Sequence, residues 1–267
     1  MAYVLGHSRP ELQRLIDQSR YIGEITEEVL RRAGLARGMD VLDVGCGSGD
    51  VSFLAAALVG DEGSVLGVDR SPDALELARG RAGAAGLANV RFAAADLTEL
   101  DLDERFDAVI GRFVLVYLPD PVEAMRRIMR HLLPGGLAIF QESVLTPMCS
   151  AEQQPLARTA SGWICDLFAR AGLPADMGWR LPQVFRAAGL PRPEVLARTA
   201  LGAGPESGAY ALLADSIRSL LPRLEALGVA SAEEVEIESL AGRLRDQTVS
   251  ADALIILPTL VGAWARS

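Results

Sequence analysis

With 267 residues, half of them hydrophobic, the chain is long enough for one large α/β domain, or one domain with a substantial insert, around an ample core. Its formal net charge is −9, and its nearest approach to a basic run is Arg31-Arg32 or Arg126-Arg127, which argues against phosphate backbones and anionic membrane surfaces as partners. The cysteines Cys46, Cys149 and Cys165 form no C-x-x-C pair, a pattern that fits a reduced cytoplasm and neither a disulfide framework nor a zinc knuckle.

The first residues carry no basic stretch followed by a long apolar core, so no signal peptide is expected. Leu12, Leu15, Ile16 and Ser19, continued by Ile22, Ile25, Val29 and Leu30, keep the spacing of one helix face until Gly34 and Gly38 end it. Residues 1–38 are therefore expected to form an N-terminal helical lid.

From there the chain alternates. Val41–Val44 is a short apolar strand that stops in glycines, and Val51–Val59 a helix. Ser64–Val68 is a second strand, after which Pro72 opens a helix at a favoured first-turn position. Val90–Ala94 and Phe106–Ile110 are the third and fourth strands. Pro121 opens a helix expected to run to Leu133, Pro134-Gly135-Gly136 turns, and Leu137–Phe140 is the fifth strand. Near-continuous apolar strands separated by helices predict a parallel sheet covered on both faces, hence a doubly wound, Rossmann-like α/β core over residues 39–143.

After Glu142 the rhythm changes. Residues 144–180 carry Trp163, Ile164, Leu167 and Phe168 on one helix face with no following strand, an inserted helical cap. Residues 181–267 complete the core: a helix over Leu181–Ala188, a strand over Val195–Leu201, a helical insert at about 205–250, and a last strand over Leu254–Trp264. That strand is expected at an edge or penultimate position, and its Pro258 suits an edge or bulge, not a central strand. The longest apolar stretch, Ala253–Ala265, is broken by Pro258 and Gly262 and falls short of the roughly 20 residues needed to cross a bilayer.

The sharpest signal is Asp43-Val44-Gly45-Cys46-Gly47-Ser48-Gly49, between a strand and a helix. Glycines there allow a tight turn and let backbone N–H groups approach a ligand. The spacing is not the G-x-G-x-x-G of nicotinamide or flavin sites, because Asp50 or Ser52 stands where the last glycine should be, and no Gly-Lys-Ser/Thr follows as in a Walker loop.

The arrangement Asp43-x-Gly45-x-Gly47-x-Gly49 resembles the first motif of class I S-adenosylmethionine-dependent methyltransferases. Asp69, with Arg70 beside it, closes the second strand, where a carboxylate can accept ribose hydroxyls. Asp96-Leu97 ends the third, where the family places an acid for the adenine amine. Phe106-Asp107-Ala108-Val109-Ile110 and Leu133-Pro134-Gly135-Gly136 resemble later landmarks, so the likeness covers roughly residues 38–142. The resemblance implies S-adenosyl-L-methionine as donor, S-adenosyl-L-homocysteine as product, and cofactor contacts from Asp43, Gly45, Cys46, Gly47, Gly49, Asp69, Arg70, Asp96, Leu97, Arg112 and Tyr21. Cys46 would contribute its backbone, and Tyr21 would either close on the cofactor or simply pack.

An acceptor should sit beyond the strand ends, near Arg112, Phe113, Tyr117 and Glu142. Glu142 is the best candidate for a general base or substrate anchor, unless it pairs with Arg112 or Arg180. His7 could be a base carried by the lid, or a surface residue. Trp163 and Phe168 either line the acceptor pocket or pack as core, and Arg180 is a further pocket candidate. Arg112 could contact cofactor, substrate carboxylate or lid. The stretch after strand four, Gly111-Arg112-Phe113-Val114, lacks the Asn/Asp-Pro-Pro-Tyr/Phe pattern of nucleic-acid amino-methylating enzymes, and no acidic cluster has metal-ligand spacing, so no metal is expected.

The whole chain is similar to bacterial small-molecule methyltransferases allied to the ubiquinone/menaquinone-biosynthesis enzymes, many of which serve secondary metabolism. That implies methyl transfer to carbon, oxygen or nitrogen of a small molecule. A cofactor-binding cyclase or regulatory protein on this fold, or an RNA or protein methyltransferase, are the alternatives. The expected partner is a small molecule, with neither nucleic acid nor membrane, with a homodimer allowed, and in the cytoplasm.

Overall fold

The computed structural model describes residues 22–150 and 154–267. Among these, residues 22–33 are helical (α1). They are followed by β1 (Asp40–Val44), α2 (Asp50–Val59), β2 (Ser64–Asp69), α3 (Pro72–Ala84), β3 (Val90–Ala94) and β4 (Phe106–Arg112). A 3-10 turn over Leu115–Tyr117 then leads to α4 (Pro121–Ile128), a second 3-10 turn over Met129–His131, and β5 (Leu132–Val144).

The chain continues through α5 (Thr146–Ser150), α6 (Pro155–Arg170), α7 (Met177–Ala187) and β6 (Glu194–Ala203). It then runs through α8 (Ala209–Ala226), α9 (Ala232–Val235) and α10 (Ile237–Ser250) to β7 (Leu254–Arg266).

Seven strands of the described residues form one sheet in the order β3-β2-β1-β4-β5-β7-β6. β1 to β5 are mutually parallel, and β7 runs antiparallel to both of its neighbours. The period of two decides which layer each side chain joins. On β1, β4 and β5, Val41, Ala108, Ile110, Leu137 and Ile139 face Val29 and Leu30 of α1 and Ala55, Ala56 and Val59 of α2. The intervening Leu42, Val109, Ala138 and Phe140 join the opposite core with Met125 and Ile128 of α4 and Leu181 and Phe185 of α7. Both faces are buried, which is why these strands read as continuous apolar runs.

The starts of α3 and α4 follow side-chain caps. Ser71 Oγ accepts from Ala74 N at 3.3 Å ahead of Pro72, and Asp120 Oδ1 accepts from Val122 N and Glu123 N at 3.0 and 2.9 Å ahead of Pro121. The helix expected to reach Leu133 is shorter: α4 stops at Ile128 and tightens into the 3-10 turn. The Leu133-Pro134-Gly135-Gly136 turn does not precede the fifth strand but interrupts it. Phe106 pairs with Leu132 and Ala108 already with Leu137, so the turn bulges out of β5 with Gly135 at φ 77°.

Pro258 likewise sits in a bulge. Thr199 pairs with Thr259 and Leu201 with Ile256, leaving Ala200 opposite both Leu257 and Pro258. A residue without an N–H is placed where the ladder is already broken.

α1 is not solely a cover over the sheet end. Its Val29, Leu30 and Ala33 belong to a core layer, and Ile22 and Ile25 reach the cavity described below. α6 packs against α8 and α10, so the segments that leave the sheet rhythm form one helical assembly. Against the reading of three reduced thiols, Cys165 on α6 is disulfide-bonded, whereas Cys46 is a free, buried thiol. No helix of the described residues is long and apolar enough to cross a membrane.

Candidate functional site

In the strand order, β1 leads to β2 on one side and β4 lies on the other, so the connections from their carboxyl ends diverge and open a crevice. A cavity of about 510 Å³ occupies it. One wall is the glycine loop with the ends of β1, β2 and β3: Asp43, Gly45 to Ser48, Asp50, Asp69, Arg70, Asp96 and Leu97.

The loop has its shape because its backbone takes conformations open to glycine. Gly45 (φ 65°) also lies so close to Val114 that a Cβ would stand 2.6 Å from its Cγ2. Gly47 (φ 53°) faces open space, a Cβ there meeting nothing within 4 Å, so bare backbone borders the cavity. Gly49 does not line the cavity. It is the N-cap of α2, packed against Phe53 and Phe92.

The acidic groups are held by their surroundings. Asp69 accepts from Gly47 N and Ser71 N, each at 2.9 Å. Asp96 accepts from the Thr98 hydroxyl at 2.7 Å and its N–H at 2.8 Å, and these bonds hold its carboxyl below the usual range. Asp43 is 1% exposed and accepts from Ser52 Oγ at 2.6 Å. Burial pushes its pKa up to about 7, against the pull of Ser52 and Arg112. Burial also pushes the Cys46 thiol far up, which removes it as a nucleophile.

The middle of the cavity is the segment after β4. Arg112 Nη1 lies 3.1 Å from the Thr26 hydroxyl of α1, and its guanidinium lies 5.8 Å from the centroid of the Phe113 ring. Thr26 in turn meets Gln141 Oε1 at 2.8 Å. Phe113 adopts φ 57°, a left-handed conformation that costs a non-glycine residue about 1–2 kcal/mol.

Glu142 explains what holds that kink, and here the structure departs from the sequence reading. Glu142 is fully buried and does not line the cavity. Its Oε1 accepts from Val114 N at 2.9 Å and Leu115 N at 2.7 Å, while Oε2 has no hydrogen-bond partner. Desolvation pushes its pKa up to about 8. It pairs with neither Arg112 nor Arg180; it caps the turn carrying Val116 and Tyr117 into the cavity.

The far wall is mostly apolar: Ile164 and Phe168 of α6, Leu212, Leu213 and Leu220 of α8 with Ser216 among them, and Ala200, Leu257 and Pro258 at the bulge. Phe113, Tyr117 and Phe168 thus meet in one cavity with Asp43, Asp69 and Asp96. Trp163 does not join them and is half-buried against the core. Arg180 lies outside, exposed on α7 and paired with Asp176 at 2.8 Å. His7 and Tyr21 fall outside the described residues. Among the described residues no group of His, Cys, Asp or Glu could hold a metal.

Sequence reasoning missed Ser48, Asp50, Thr98, the α8 contribution and Arg81. α8 lies in the helical insert expected at about 205–250, but nothing in one sequence tells a helix face lining a cavity from one facing core.

Residues 35–188 match the family model of a methyltransferase domain. A demethylmenaquinone methyltransferase of Staphylococcus aureus (strain MRSA252) is 36% identical over 118 residues, 44% of this chain and 48% of that protein. The aklanonic acid methyltransferase DauC of a Streptomyces species (strain C5) is 39% identical over 108 residues, 40% of this chain and 49% of that protein. The chain thus spans about half the length of the curated relatives it matches.

In fold, it is similar to a SAM dependent methyltransferase from Aquifex aeolicus, with a TM-score of 0.54 at 22% identity over 72% of this chain and 92% of the other. It is equally similar to the [4+2]-cyclase SpnF, with a TM-score of 0.53 at 23% identity over 91% of this chain and 80% of the other. One fold therefore carries more than one activity, and the choice rests on the site.

Proposed function

We propose, given that this chain belongs to the methyltransferase-domain family, that it binds S-adenosyl-L-methionine in the aspartate-lined half of the cavity and methylates a small apolar molecule held in the other half. The observation that carries this reading is the division of one cavity of about 510 Å³ into a wall of carboxylates and bare glycine backbone and a wall of aliphatic and aromatic side chains. That volume is within the roughly 300–1,000 Å³ of small-molecule sites.

The residues present fit such a donor. Asp69 and Asp96, fixed by backbone and hydroxyl donors, keep acceptor capacity for ribose and adenine. The open backbone at Gly47 leaves room for the amino-acid tail, and Asp43 is a buried carboxylate that an ammonium would stabilise in its charged form. When bound, the donor supplies an electrophilic methyl on sulfur.

The chain's own share is alignment and exclusion of water. The turn held by Glu142 sets Val116 and Tyr117 between the two halves, and Ile164, Phe168 and Leu212 keep the acceptor side dry. The two curated relatives are named for demethylmenaquinone and for aklanonic acid, which supports a small-molecule acceptor. A cytoplasmic location and a partner set restricted to small molecules belong to the same proposal; the Cys165 disulfide is the one feature at odds with that location.

The test is a methyl-transfer assay with radiolabelled donor against a metabolite extract, RNA and protein. Label in the low-molecular-weight fraction is expected. Label confined to RNA or protein would overturn the acceptor assignment, and donor binding without transfer would favour a non-transferase role.

A further inference from the structure

Arg81 lies on α3, outside every motif named in the sequence, yet it reaches across to the glycine loop. Its Nη1 donates to the Ser48 carbonyl at 2.7 Å. Its Nη2 stands 2.8 Å from Asp50 Oδ1, a close ion pair that falls short of hydrogen-bond alignment. Its guanidinium carbon lies 5.0 Å from the centroid of the Phe53 ring, within reach of a cation–π contact. That ring packs edge-on against Phe92 and blocks any side chain at Gly49. One side chain, about three-quarters buried, therefore touches three successive features of the turn from β1 into α2.

The loop needs such a hold. Gly45, Gly47 and Gly49 all sit at positive φ, and a run of glycines has more conformations to lose than any other residues when it is fixed. Its internal restraints are Cys46 N to Val68 O at 3.0 Å, Gly47 N to Asp69 and Gly49 N to Cys46 O at 2.9 Å. The Ser48–Gly49 peptide is thus satisfied at both ends, its N–H by Cys46 O and its C=O by Arg81. Ser48 and Asp50 themselves line the cavity. Asp50 also accepts from Ser48 Oγ at 3.0 Å, so the guanidinium, the carboxylate and the hydroxyl form one small network behind the cavity wall.

We propose that Arg81 is a positioning residue for donor binding: by gripping the Ser48 carbonyl, the Asp50 carboxylate and the Phe53 ring together, it holds the loop in its receptive shape before the donor arrives. This rests on the reading of the cavity as a donor site. A lysine in its place could reach one of these partners but lacks the planar fork that serves two at once and the flat face that stacks. Holding the loop in advance removes an ordering cost from each binding event.

The experiment is calorimetric titration of the purified chain with S-adenosyl-L-homocysteine, in wild type, R81K, R81M and the double variant D50N/R81M. The double variant removes the carboxylate that R81M alone would leave buried and unpaired. Amide hydrogen exchange of the ligand-free chain is measured alongside. Dissociation constants are expected to rise on the order of tenfold in R81M and D50N/R81M and less in R81K. Exchange should quicken at Gly47 to Asp50 and not in β4 or β5.

A wild-type chain that binds, with D50N/R81M and R81K both folded and binding within twofold of it, overturns the role of Arg81 alone. A uniform rise in exchange across the sheet, with affinity unchanged once the unfolded fraction is counted, assigns Arg81 to general stability and likewise overturns it. A wild-type chain that does not bind overturns the donor reading, and this inference with it.

Discussion

The two halves of the cavity are built by opposite strategies. The half proposed for the donor is made of short-range sequence: Asp43 to Asp50 in one turn, with Asp69 and Asp96 at the ends of the next two strands, each of these two fixed by backbone within a few residues or one strand away. The half proposed for the acceptor gathers α6, α8, the β6–β7 bulge and the segment after β4, drawn from about half the chain. The first half is polar and placed by hydrogen bonds whose geometry tolerates little drift. The second is apolar and placed by packing, where several sequences of similar volume serve equally well. On the proposed division, a fold can keep its donor site and exchange its acceptor site, consistent with an aligned stretch that covers only about half of each curated relative.

The comparison breaks most visibly if the halves are not separable. Asp69→Ala removes a donor-half acceptor that also fixes Gly47, and S-adenosyl-L-homocysteine affinity should fall roughly 10- to 100-fold by calorimetry, a loss of about 1–3 kcal/mol. Unchanged affinity in the folded variant would mean that the strand-end acid does not touch the ligand. The reciprocal change is Leu212→Asp, a charge on the half-buried apolar wall. Label transfer should drop about tenfold or more while affinity for S-adenosyl-L-homocysteine stays within twofold. Parallel losses in both would show the two walls to be one site.

Glu142 sits between the halves, and its signature is in stability. Its folded pKa of about 8 stands above the usual 4.5, so its contribution is fully present below about pH 4.5 and is lost as pH rises through about 8. Glu142→Gln keeps an oxygen for Val114 N and Leu115 N and cannot ionise. Relative to the variant, the wild type should lose on the order of 1–3 kcal/mol between pH 5 and pH 9 in urea titrations. Parallel curves would place the carboxylate in a wetter setting than the structure gives it.

The smallest effect belongs to Asp43. Its pKa of about 7 leaves it partly protonated near neutrality, and an ammonium beside it favours the carboxylate, so binding should release a fraction of a proton. Affinity should rise a few-fold from pH 6 to pH 8, and heats measured at pH 7 should vary with the buffer's ionisation enthalpy. Buffer-independent heats would separate Asp43 from the ligand.

What the sequence made legible follows the same divide. β3 was read with its observed ends, and the turns after β1, β2 and β3 carry their instructions in adjacent glycines, prolines and acids. The direction of Glu142 was not legible. β5 is buried on both faces, so its pattern does not alternate, and nothing local tells that Gln141 turns to Thr26 of α1 while Glu142 turns to the segment after β4. The bulge at Leu133–Gly136 was read as a turn between elements because a bulge and a turn use the same residues. Trp163 and Phe168 lie five apart on α6, and which one reaches the cavity depends on how α6 lies against α8 and α10.

β7 has a consequence for the order in which the molecule is put together. Among the described residues, β6 finds its only ladder partner in a strand encoded some fifty residues later, across the whole of α8 to α10. As the chain leaves the ribosome, β1 to β5 can zip up in sequence and α8 and α10 can meet α6, but β6 has no strand to pair with until β7 slides in beside β5. The pocket for the foreign molecule is thus the last thing to close, and a fluctuation that lifts β7 would open that pocket from behind while the glycine turn stays shut.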